Sequence, residues 1–110
     1  MSSYRQERLR KLLHRAVGEI IAKSVPLPEA LATVSGVELS KTQEHATVRV
    51  TVFPFEKSAE VLEELNRHIG AVQRELNEKL RLHPVPKIRF EIDESEERGG
   101  QIIESIDRLR

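Results

Sequence analysis

The sequence predicts a two-layer α+β sandwich, in which helices cover one face of a mixed three-stranded sheet. Apolar residues recur with helical spacing in two long segments, and they alternate with polar residues in shorter segments rich in valine and isoleucine. The chain has 110 residues, which suits one domain. The element order is therefore helix–strand–strand–helix–helix–strand. A third strand that follows a helical crossover is expected to lie parallel to one of the earlier strands.

The N-terminal segment is predicted to form an amphipathic helix over residues 4–23. Basic residues occupy much of its polar surface, and the pair Pro26 and Pro28 stops the helix. The apolar residues fall at i, i+3 and i+4 spacing: Leu9, Leu12, Leu13, Ala16, Val17, Ile20 and Ile21.

Three strands are predicted from alternating patterns. The first two span residues 34–40 and 46–53, and the short polar connector between them favours an antiparallel hairpin. Gly36 inside the first strand indicates a bulge or a bend. The third strand spans residues 88–92, where Ile88, Phe90 and Ile92 alternate with charged residues.

A second helical region begins at Ser58, which suits an N-cap position. Gly70 lies between two apolar stripes of this region, and a glycine inside a helix costs about 1 kcal/mol relative to alanine. This cost favours two helices, the first ending near His68 or Ile69 and the second starting near Ala71. The alternative is one continuous helix over residues 59–82 with a tolerated glycine.

The C-terminal part contains an acidic turn over residues 93–97 and a flexible Gly99–Gly100 joint. Beyond it, Ile102, Ile103, Ile106 and Leu109 have the spacing of a short helix. We therefore expect one domain over residues 1–98 and a short tail over residues 99–110.

The composition argues against several kinds of chemistry. There is no cysteine for a disulfide or a thiol nucleophile, and no apolar run approaches the roughly 20 residues that span a bilayer. The four histidines fall in different elements without ligand spacing, and the common nucleotide-binding and hydrolase motifs are absent. We therefore expect a cytoplasmic protein that is not an enzyme, with no catalytic residue, no metal site and no cofactor.

Charge is balanced in total but unevenly distributed. Lysine and arginine number 18, as do aspartate and glutamate. Residues 1–23 and 66–90 each carry six basic and two acidic side chains, whereas residues 24–65 and 91–110 each carry three basic and seven acidic ones. A neutral total can therefore hide a basic face.

The predicted joint between the second and third helices is the best candidate for a binding site. A helix that starts after a glycine presents free N–H groups and a positive dipole end, which a phosphate can approach closely. Few aromatic residues are available to stack bases, so we expect recognition of RNA backbone and shape. The alternative is an ordinary solvated helix face. Basic residues surround this joint: Arg67, Arg74, Lys79, Arg81, Lys87 and Arg89.

Short segments spread over residues 5–106 carry a family resemblance. They are Glu19-Ile20-Ile21, Val37-Glu38-Leu39-Ser40, Ala46-Thr47-Val48-Arg49-Val50, Gly70-Ala71-Val72-Gln73-Arg74-Glu75-Leu76, Leu80-Arg81-Leu82, Pro86-Lys87-Ile88-Arg89-Phe90 and Asp93-Glu94-Ser95. In order, spacing and total length they resemble type II KH domains and, more narrowly, the bacterial ribosome-binding factor A family. Gln73 stands where the GxxG loop of KH domains has its second glycine.

The resemblance implies a KH type II-like fold and a role in late maturation of the small (30S) ribosomal subunit, including processing of the 5′ end of 16S rRNA. It implies a monomer that binds free small subunits through rRNA and is released with the help of an assembly GTPase, without a cofactor or a membrane. The alternatives are a general KH-like RNA-binding protein and a protein-interaction module that uses the acidic tail and the hairpin edge. The predicted RNA-binding residues are Arg67, Gly70, Ala71, Arg74, Lys79, Arg81 and Lys87, with Arg8, Lys11 and Arg15 on the first helix.

Overall fold

Three helices lie on one face of a three-stranded sheet in the computed structural model, which describes residues 2–27, 29–81 and 84–95. The predicted α+β class and the predicted element order are confirmed. The predicted C-terminal helix and the predicted boundary between residues 98 and 99 lie outside the described residues. The elements are α1 (Ser2–Ser24), β1 (Leu31–Leu39), β2 (His45–Phe53), a 3₁₀ turn (Phe55–Lys57), α2 (Ser58–Arg67), α3 (Ile69–Lys79) and β3 (Lys87–Ile92).

β2 is the central strand of the sheet, whose order is β1-β2-β3. β1 pairs with β2 in antiparallel orientation, as expected for a hairpin with a short turn. β3 pairs with β2 in parallel orientation, from His45 opposite Lys87 to Val50 opposite Ile92. The parallel pairing follows from the helical crossover, which returns the chain to the end of the sheet where β2 begins. The prediction of a mixed sheet is confirmed.

β1 contains the bulge that Gly36 indicated. The pairing with β2 shifts between Val34 and Gly36, so Ser35 is the extra residue. The strand begins at Leu31, which is earlier than predicted, because its first residues pair with the last residues of β2, with Leu31 opposite Phe53. Strand pairing, which periodicity does not reveal, sets this boundary.

The start of α2 differs from the prediction. Ser58 is the first residue of the helix and Lys57 holds the N-cap position, so the N-cap prediction for Ser58 is wrong. The reason is the 3₁₀ turn, which runs directly into α2. The Ser58 hydroxyl donates to the Phe55 carbonyl oxygen at 2.6 Å, so it bonds back to the turn and not forward to the helix.

The core lies between the helix layer and the sheet. Each helix contributes one leucine with no exposed surface, namely Leu13, Leu65 and Leu76, and they pack in one cluster with Val48 and Val50 of β2. Each such burial contributes about 1.5–3 kcal/mol. No polar or charged side chain is buried in the described ranges, so polar function there must lie on the surface.

The three helices of the described residues lie on one face of the sheet. Successive side chains of a strand point to opposite faces, so the residues of β2 that alternate with its buried valines point away from the helices. We call this uncovered side of the sheet the open face. On β2 it carries His45, Thr47, Arg49, Thr51 and Phe53. The molecule therefore offers two distinct surfaces, the outside of the helix layer and the open face.

Candidate nucleic-acid interface

α2 and α3 are joined at a single residue, His68. Its backbone, at φ −98° and ψ 3°, lies in the bridge region, and its N–H donates to the carbonyl oxygens of Glu64 and Leu65, both at 3.2 Å. The ring Nδ1 lies 2.9 Å from the Glu64 carbonyl oxygen, which holds the half-buried imidazole against α2. The predicted helix break is therefore confirmed, and the alternative of one continuous helix is wrong.

The break lies two residues before Gly70. α3 begins at Ile69, two residues before the predicted start near Ala71, because His68 carries the non-helical backbone. Gly70 has no positive φ, and a Cβ there would contact only the Arg74 guanidinium at 3.9 Å, an ordinary distance. The expectation that glycine itself breaks the helix is therefore wrong. What Gly70 provides is bare backbone in the exposed first turn of α3.

The N-terminal end of α3 lies at the exposed joint. The Val72 N–H donates to the His68 carbonyl oxygen at 3.0 Å, and this bond closes the first turn. The amides of Gly70 and Ala71 precede it, at the positive end of the helix, and both residues are exposed. This arrangement favours the approach of an anionic group such as phosphate.

The two arginines nearest the joint differ in how far their charge is neutralised. Arg67, the last residue of α2, bonds the carboxylates of Glu63 at 3.4 Å and Glu64 at 2.8 Å. Arg74 is exposed and forms no ion pair with any described residue. Arg74 is therefore the joint cation most available to a phosphate.

α1 and α3 pack beside each other in antiparallel orientation. The Ser24 hydroxyl donates to the Glu75 carboxylate at 2.9 Å, and the Lys79 ammonium donates to Glu19 at 2.5 Å. The N-terminal half of α1 therefore extends past the C-terminal end of α3. Because a helix rises 1.5 Å per residue, Lys79 lies about 14 Å along α3 from Gly70.

Glu19 brings two of the predicted RNA-binding residues together. The Arg15 Nε atom lies 3.3 Å from one carboxylate oxygen, and the Lys79 Nζ atom lies 2.5 Å from the other. The hydrogen bond from Lys79, followed by that from Arg15, holds the pKa of Glu19 below its ordinary value. The ionised carboxylate, with one negative charge, therefore offsets at most half of the combined positive charge of the two side chains.

Three further predicted cations lie toward the same end of the helix layer. Arg8 stacks over Tyr4, with its guanidinium carbon 6.0 Å from the ring centroid, and Lys11 is exposed one turn later. Arg81 follows the C-cap of α3 and is also exposed. None of the three pairs with a carboxylate of the described residues. The structure therefore forms a joint group (Arg67, Gly70, Ala71 and Arg74) and an α1-end group (Arg8, Lys11, Arg15, Lys79 and Arg81).

Lys87 lies apart from both groups. Ile88, its neighbour in β3, is only 5% exposed and faces the helices, so strand alternation directs Lys87 to the open face. Its side chain is exposed and forms no ion pair with a described residue. The structure therefore does not bring Lys87 together with the other predicted RNA-binding residues.

Gln73 is a positioning residue whose contacts the sequence did not predict. Its Nε2 donates to the Pro86 carbonyl oxygen at 3.1 Å, and its Oε1 accepts from the Ile88 N–H at 2.9 Å. These two bonds hold the first turns of α3 against the start of β3. The signal in the sequence is its place three residues after Gly70, where a KH loop would have glycine.

The groove between α1 and α3 carries charges of both signs. It has a volume of about 540 Å³, and acids and lysines both line it, including Glu19, Glu78, Lys23 and Lys79. The helix layer therefore presents separate free cations and not one continuous basic surface.

The described ranges contain no group of three or more histidine, cysteine, aspartate or glutamate residues that could hold a metal ion. Among the helices in those ranges, none is both long and apolar enough to cross a bilayer.

Three features define a type II KH-like domain with an open, charged surface. They are the element order, the parallel β2–β3 pair and the exposed joint between α2 and α3. The family model of ribosome-binding factor A matches residues 5–106 of this chain. The chain belongs to the ribosome-binding factor A family.

Individual relatives agree with this assignment. Ribosome-binding factor A of Thioalkalivibrio sulfidiphilus is 34% identical over 106 residues, covering 94% of this chain and 82% of the relative. That of Clostridium tetani is 31% identical over 113 residues, covering 100% of this chain and 93% of the relative.

Solved structures agree as well. The crystal structure of ribosome-binding factor A from Thermus thermophilus is similar with a TM-score of 0.68 and 30% identity, covering 78% of this chain and 92% of that chain. A Thermus thermophilus RbfA homology model fitted into the cryo-EM map of a 30S–RbfA complex gives the same TM-score and identity, covering 79% and 93%.

Proposed function

We propose that this chain is a ribosome-binding factor that binds the free small ribosomal subunit and assists its late maturation. The observation that carries the proposal is the similarity to RbfA coordinates fitted into a 30S–RbfA complex, with 30% identity and a TM-score of 0.68. The two groups of exposed cations on the helix layer supply a physical basis for rRNA contacts.

The joint group binds one rRNA phosphate. Arg74 offers a free guanidinium for bidentate bonding, and the Gly70 and Ala71 amides lie one turn before it, at the positive end of α3. Gly70 places no side chain between the phosphate and these amides. Arg67 adds a weaker positive field, because its ion pairs with Glu63 and Glu64 offset its charge.

The α1-end group binds a second stretch of backbone. Lys11 and Arg81 are exposed cations without a carboxylate partner in the described ranges, whereas Arg15 and Lys79 share Glu19. About 14 Å of helix separates Lys79 from Gly70, so the two groups reach different phosphates. Spaced phosphate contacts of this kind recognise RNA by its shape and not by its base sequence.

Membership of the ribosome-binding factor A family supports the more detailed parts of the proposal, which concern rRNA processing, oligomeric state, location and release. The factor supports processing of the 5′ end of 16S rRNA, acts as a monomer in the cytoplasm and leaves the subunit with the help of an assembly GTPase. It acts by binding, without catalysis and without a cofactor.

Sedimentation tests the proposal directly. Purified full-length protein is mixed with separated small subunits, large subunits and whole ribosomes, and each mixture is run through a gradient at low salt. Co-migration with small subunits alone is expected. No co-migration with any particle would contradict the proposal, and equal affinity for unrelated RNA of matched length would favour a general RNA-binding protein.

Charge reversal tests the assigned surface. Arg74→Glu with Arg81→Glu is expected to weaken small-subunit binding by about 100-fold at low salt, because two phosphate contacts become repulsive. Lys41→Glu is the matched control for one such charge change, since exposed Lys41 lies in the turn between β1 and β2, outside both groups of cations. Unchanged binding by the double variant would show that the interface lies elsewhere.

A further inference from the structure

The open face ends in an apolar corner. Leu31 and Phe53 lie directly opposite each other in the β1–β2 pairing and are 69% and 73% exposed. Cross-strand neighbours stand about 4.5–5.5 Å apart at Cβ, so the two side chains form one patch. Elsewhere on this face, Arg49 pairs with Glu38. The corner is therefore the apolar end of an otherwise charged surface.

A groove of about 990 Å³ runs along this corner, and we call it the sheet groove. Leu31 and Phe53 form its apolar wall, and Thr33 and Thr51 form part of its floor. The Thr51 hydroxyl already donates to the Thr33 carbonyl oxygen at 3.3 Å, so its proton does not require a hydrogen-bond acceptor on a ligand. Exposed apolar patches with a polar rim are typical of interaction sites.

The rim of the sheet groove is acidic. Its titratable residues among the described parts of the chain are Glu56 and Asp93, and no lysine, arginine or histidine lines it there. Asp93 accepts hydrogen bonds from the Ser35 hydroxyl at 2.6 Å and from the Ser95 hydroxyl at 2.6 Å and N–H at 2.9 Å. These bonds lower the pKa of Asp93 to about 2, which keeps its carboxylate charged at neutral pH.

Such a groove does not suit RNA. Both titratable lining residues are carboxylates and repel phosphate, although the charge of Arg49 acts on Asp93 from outside the lining, and apolar walls offer nothing to a sugar–phosphate backbone. The carboxylates and apolar walls of the sheet groove do suit a peptide with aliphatic and basic residues. An aliphatic side chain covers Leu31 and Phe53, while a lysine or arginine stem lies along the apolar wall and its charge reaches Glu56 or Asp93.

We propose that the sheet groove binds a protein segment that combines basic residues with aliphatic residues such as leucine. This segment belongs to a protein exposed on the small ribosomal subunit. The partner's location rests on the proposed function, whereas the chemistry of the groove does not. The chain then contacts the subunit on two surfaces, RNA through the helix layer and protein through the open face. Charge complementarity selects the occupant of each surface.

The first experiment adds a peptide to full-length protein and records the backbone amide signals by NMR. The probe is a seven-residue peptide of five lysines and two leucines, and the control peptide has glutamate in place of lysine. The basic peptide is expected to shift the amide signals of Leu31, Thr51 and Phe53, and the acidic peptide is expected to leave them unchanged. Phe53→Thr is expected to weaken peptide binding at least tenfold, and threonine suits an exposed strand position.

Two control variants separate this proposal from the RNA-binding proposal. His45→Thr changes the same face of β2 at its other end and is expected to leave peptide binding unchanged. Arg74→Glu is expected to weaken RNA binding and to leave peptide binding unchanged. Failure of the RNA contacts and failure of the groove therefore give different results.

Small subunits and protein-free 16S rRNA provide the second experiment. Phe53→Thr is expected to lower affinity for small subunits at least tenfold and to leave affinity for protein-free 16S rRNA unchanged. Unchanged affinity for both, or an equal loss on both, would overturn the proposal.

Other occupants give distinct results that would also overturn the proposal. A ten-residue uridine RNA that shifts the groove amides would assign the groove to RNA. Groove shifts that depend on protein concentration alone would assign it to a second copy of this chain. Groove shifts caused by Ile103→Asp with Ile106→Asp, without peptide, would assign it to the chain's own C-terminal segment. A basic peptide that causes no groove shifts would leave the groove without this function.

Discussion

His68 ends α2 by bonding back onto the preceding turn through both its backbone and its ring. The backbone N–H donates to Glu64 and Leu65, and the ring Nδ1 lies beside the same Glu64 carbonyl oxygen. Carbonyl groups at the end of a helix need such partners. Gly70, which follows inside α3, is therefore free of any role in breaking the helix.

Gly70→Ala separates the structural role of this glycine from a role in binding. Its backbone is helical and a Cβ has room, so alanine is expected to stabilise the protein by about 0.4–1 kcal/mol, measured by urea unfolding. RNA binding is expected to fall severalfold, because a side chain then stands at the first turn of α3.

Gly18→Ala is the matched control for that change. Gly18 lies inside α1, and a Cβ there would meet only the Val34 side chain at 3.9 Å. A similar gain in stability with unchanged RNA binding is expected. Loss of RNA binding in both variants would argue against a specific role for Gly70.

Asp93 makes stability depend on pH in the acid range. Its pKa in the folded protein is about 2, below its ordinary value of 3.8, and the Ser35 hydroxyl is the largest cause. The group stabilises the fold above the unfolded-state pKa, and this contribution is lost as the pH falls from about 4 toward 2. Ser35→Ala is expected to raise the Asp93 pKa, measured by carboxyl carbon NMR. An unchanged pKa would contradict this assignment.

At the scale of elements, side-chain hydrogen bonds connect α3 to its neighbours. Gln73 bonds Pro86 and Ile88 at the start of β3, and Glu75 accepts a hydrogen bond from Ser24 at the end of α1. The buried Leu76 packs in the core in the next turn of α3. The orientation of α3, and with it the position of the candidate RNA surface, follows from these contacts together.

Gln73→Ala tests this coupling. Loss of both bonds leaves the Ile88 N–H of β3 without its side-chain acceptor, so a loss of about 1–3 kcal/mol in the free energy of unfolding is expected. Asn77→Ala is the control, because exposed Asn77 contacts Gln73 at 3.1 Å but not β3. A loss below about 0.5 kcal/mol is expected for it. Equal losses would argue against the role of the β3 bonds.

At the scale of the whole molecule, a net charge of zero hides an unequal distribution of free cations. The segments that carry excess basic charge contribute α1 and α3, which lie side by side in the helix layer. Part of their charge is offset within the protein, through Glu19 for Arg15 and Lys79. Binding to RNA therefore depends on a few unpaired residues and not on total charge.

The salt dependence of RNA binding measures how many cations are used. Each phosphate neutralised contributes about 0.7–0.9 to the slope of log K against log salt, so a slope between about −2 and −4 is expected for the unpaired cations. Glu19→Gln frees Arg15 and Lys79 and is expected to steepen the slope by about 1–2. Filter binding to a 16S rRNA fragment provides the measurement. A slope unchanged in Glu19→Gln would exclude both side chains from the interface.

Most elements were predictable because their signals are local. The 3.6-residue spacing of α1 and the alternation in β2 each depend on residues within one segment, and both elements lie within two residues of their predicted bounds. The start of β1 and the 3₁₀ turn before α2 were missed, because they depend on strand pairing and on a turn without strong sequence signals.

The candidate site was predictable only as a list of residues. The helix break and the basic segments around it were visible in the sequence, but their spatial grouping was not. Lys87 points to the open face, and Lys79 lies about 14 Å along α3 from Gly70. The Leu31–Phe53 corner was also invisible, since two residues at distant strand ends meet only in the folded hairpin.

The sequence by itself determined the α+β class and the order of the elements, because periodicity acts within short segments. Only the tertiary structure decided which cations remain free. Glu19 and Lys79 are 60 residues apart in sequence and 2.5 Å apart in space. Charge neutralisation depends on such distances between side chains, so the composition of a basic segment does not reveal it.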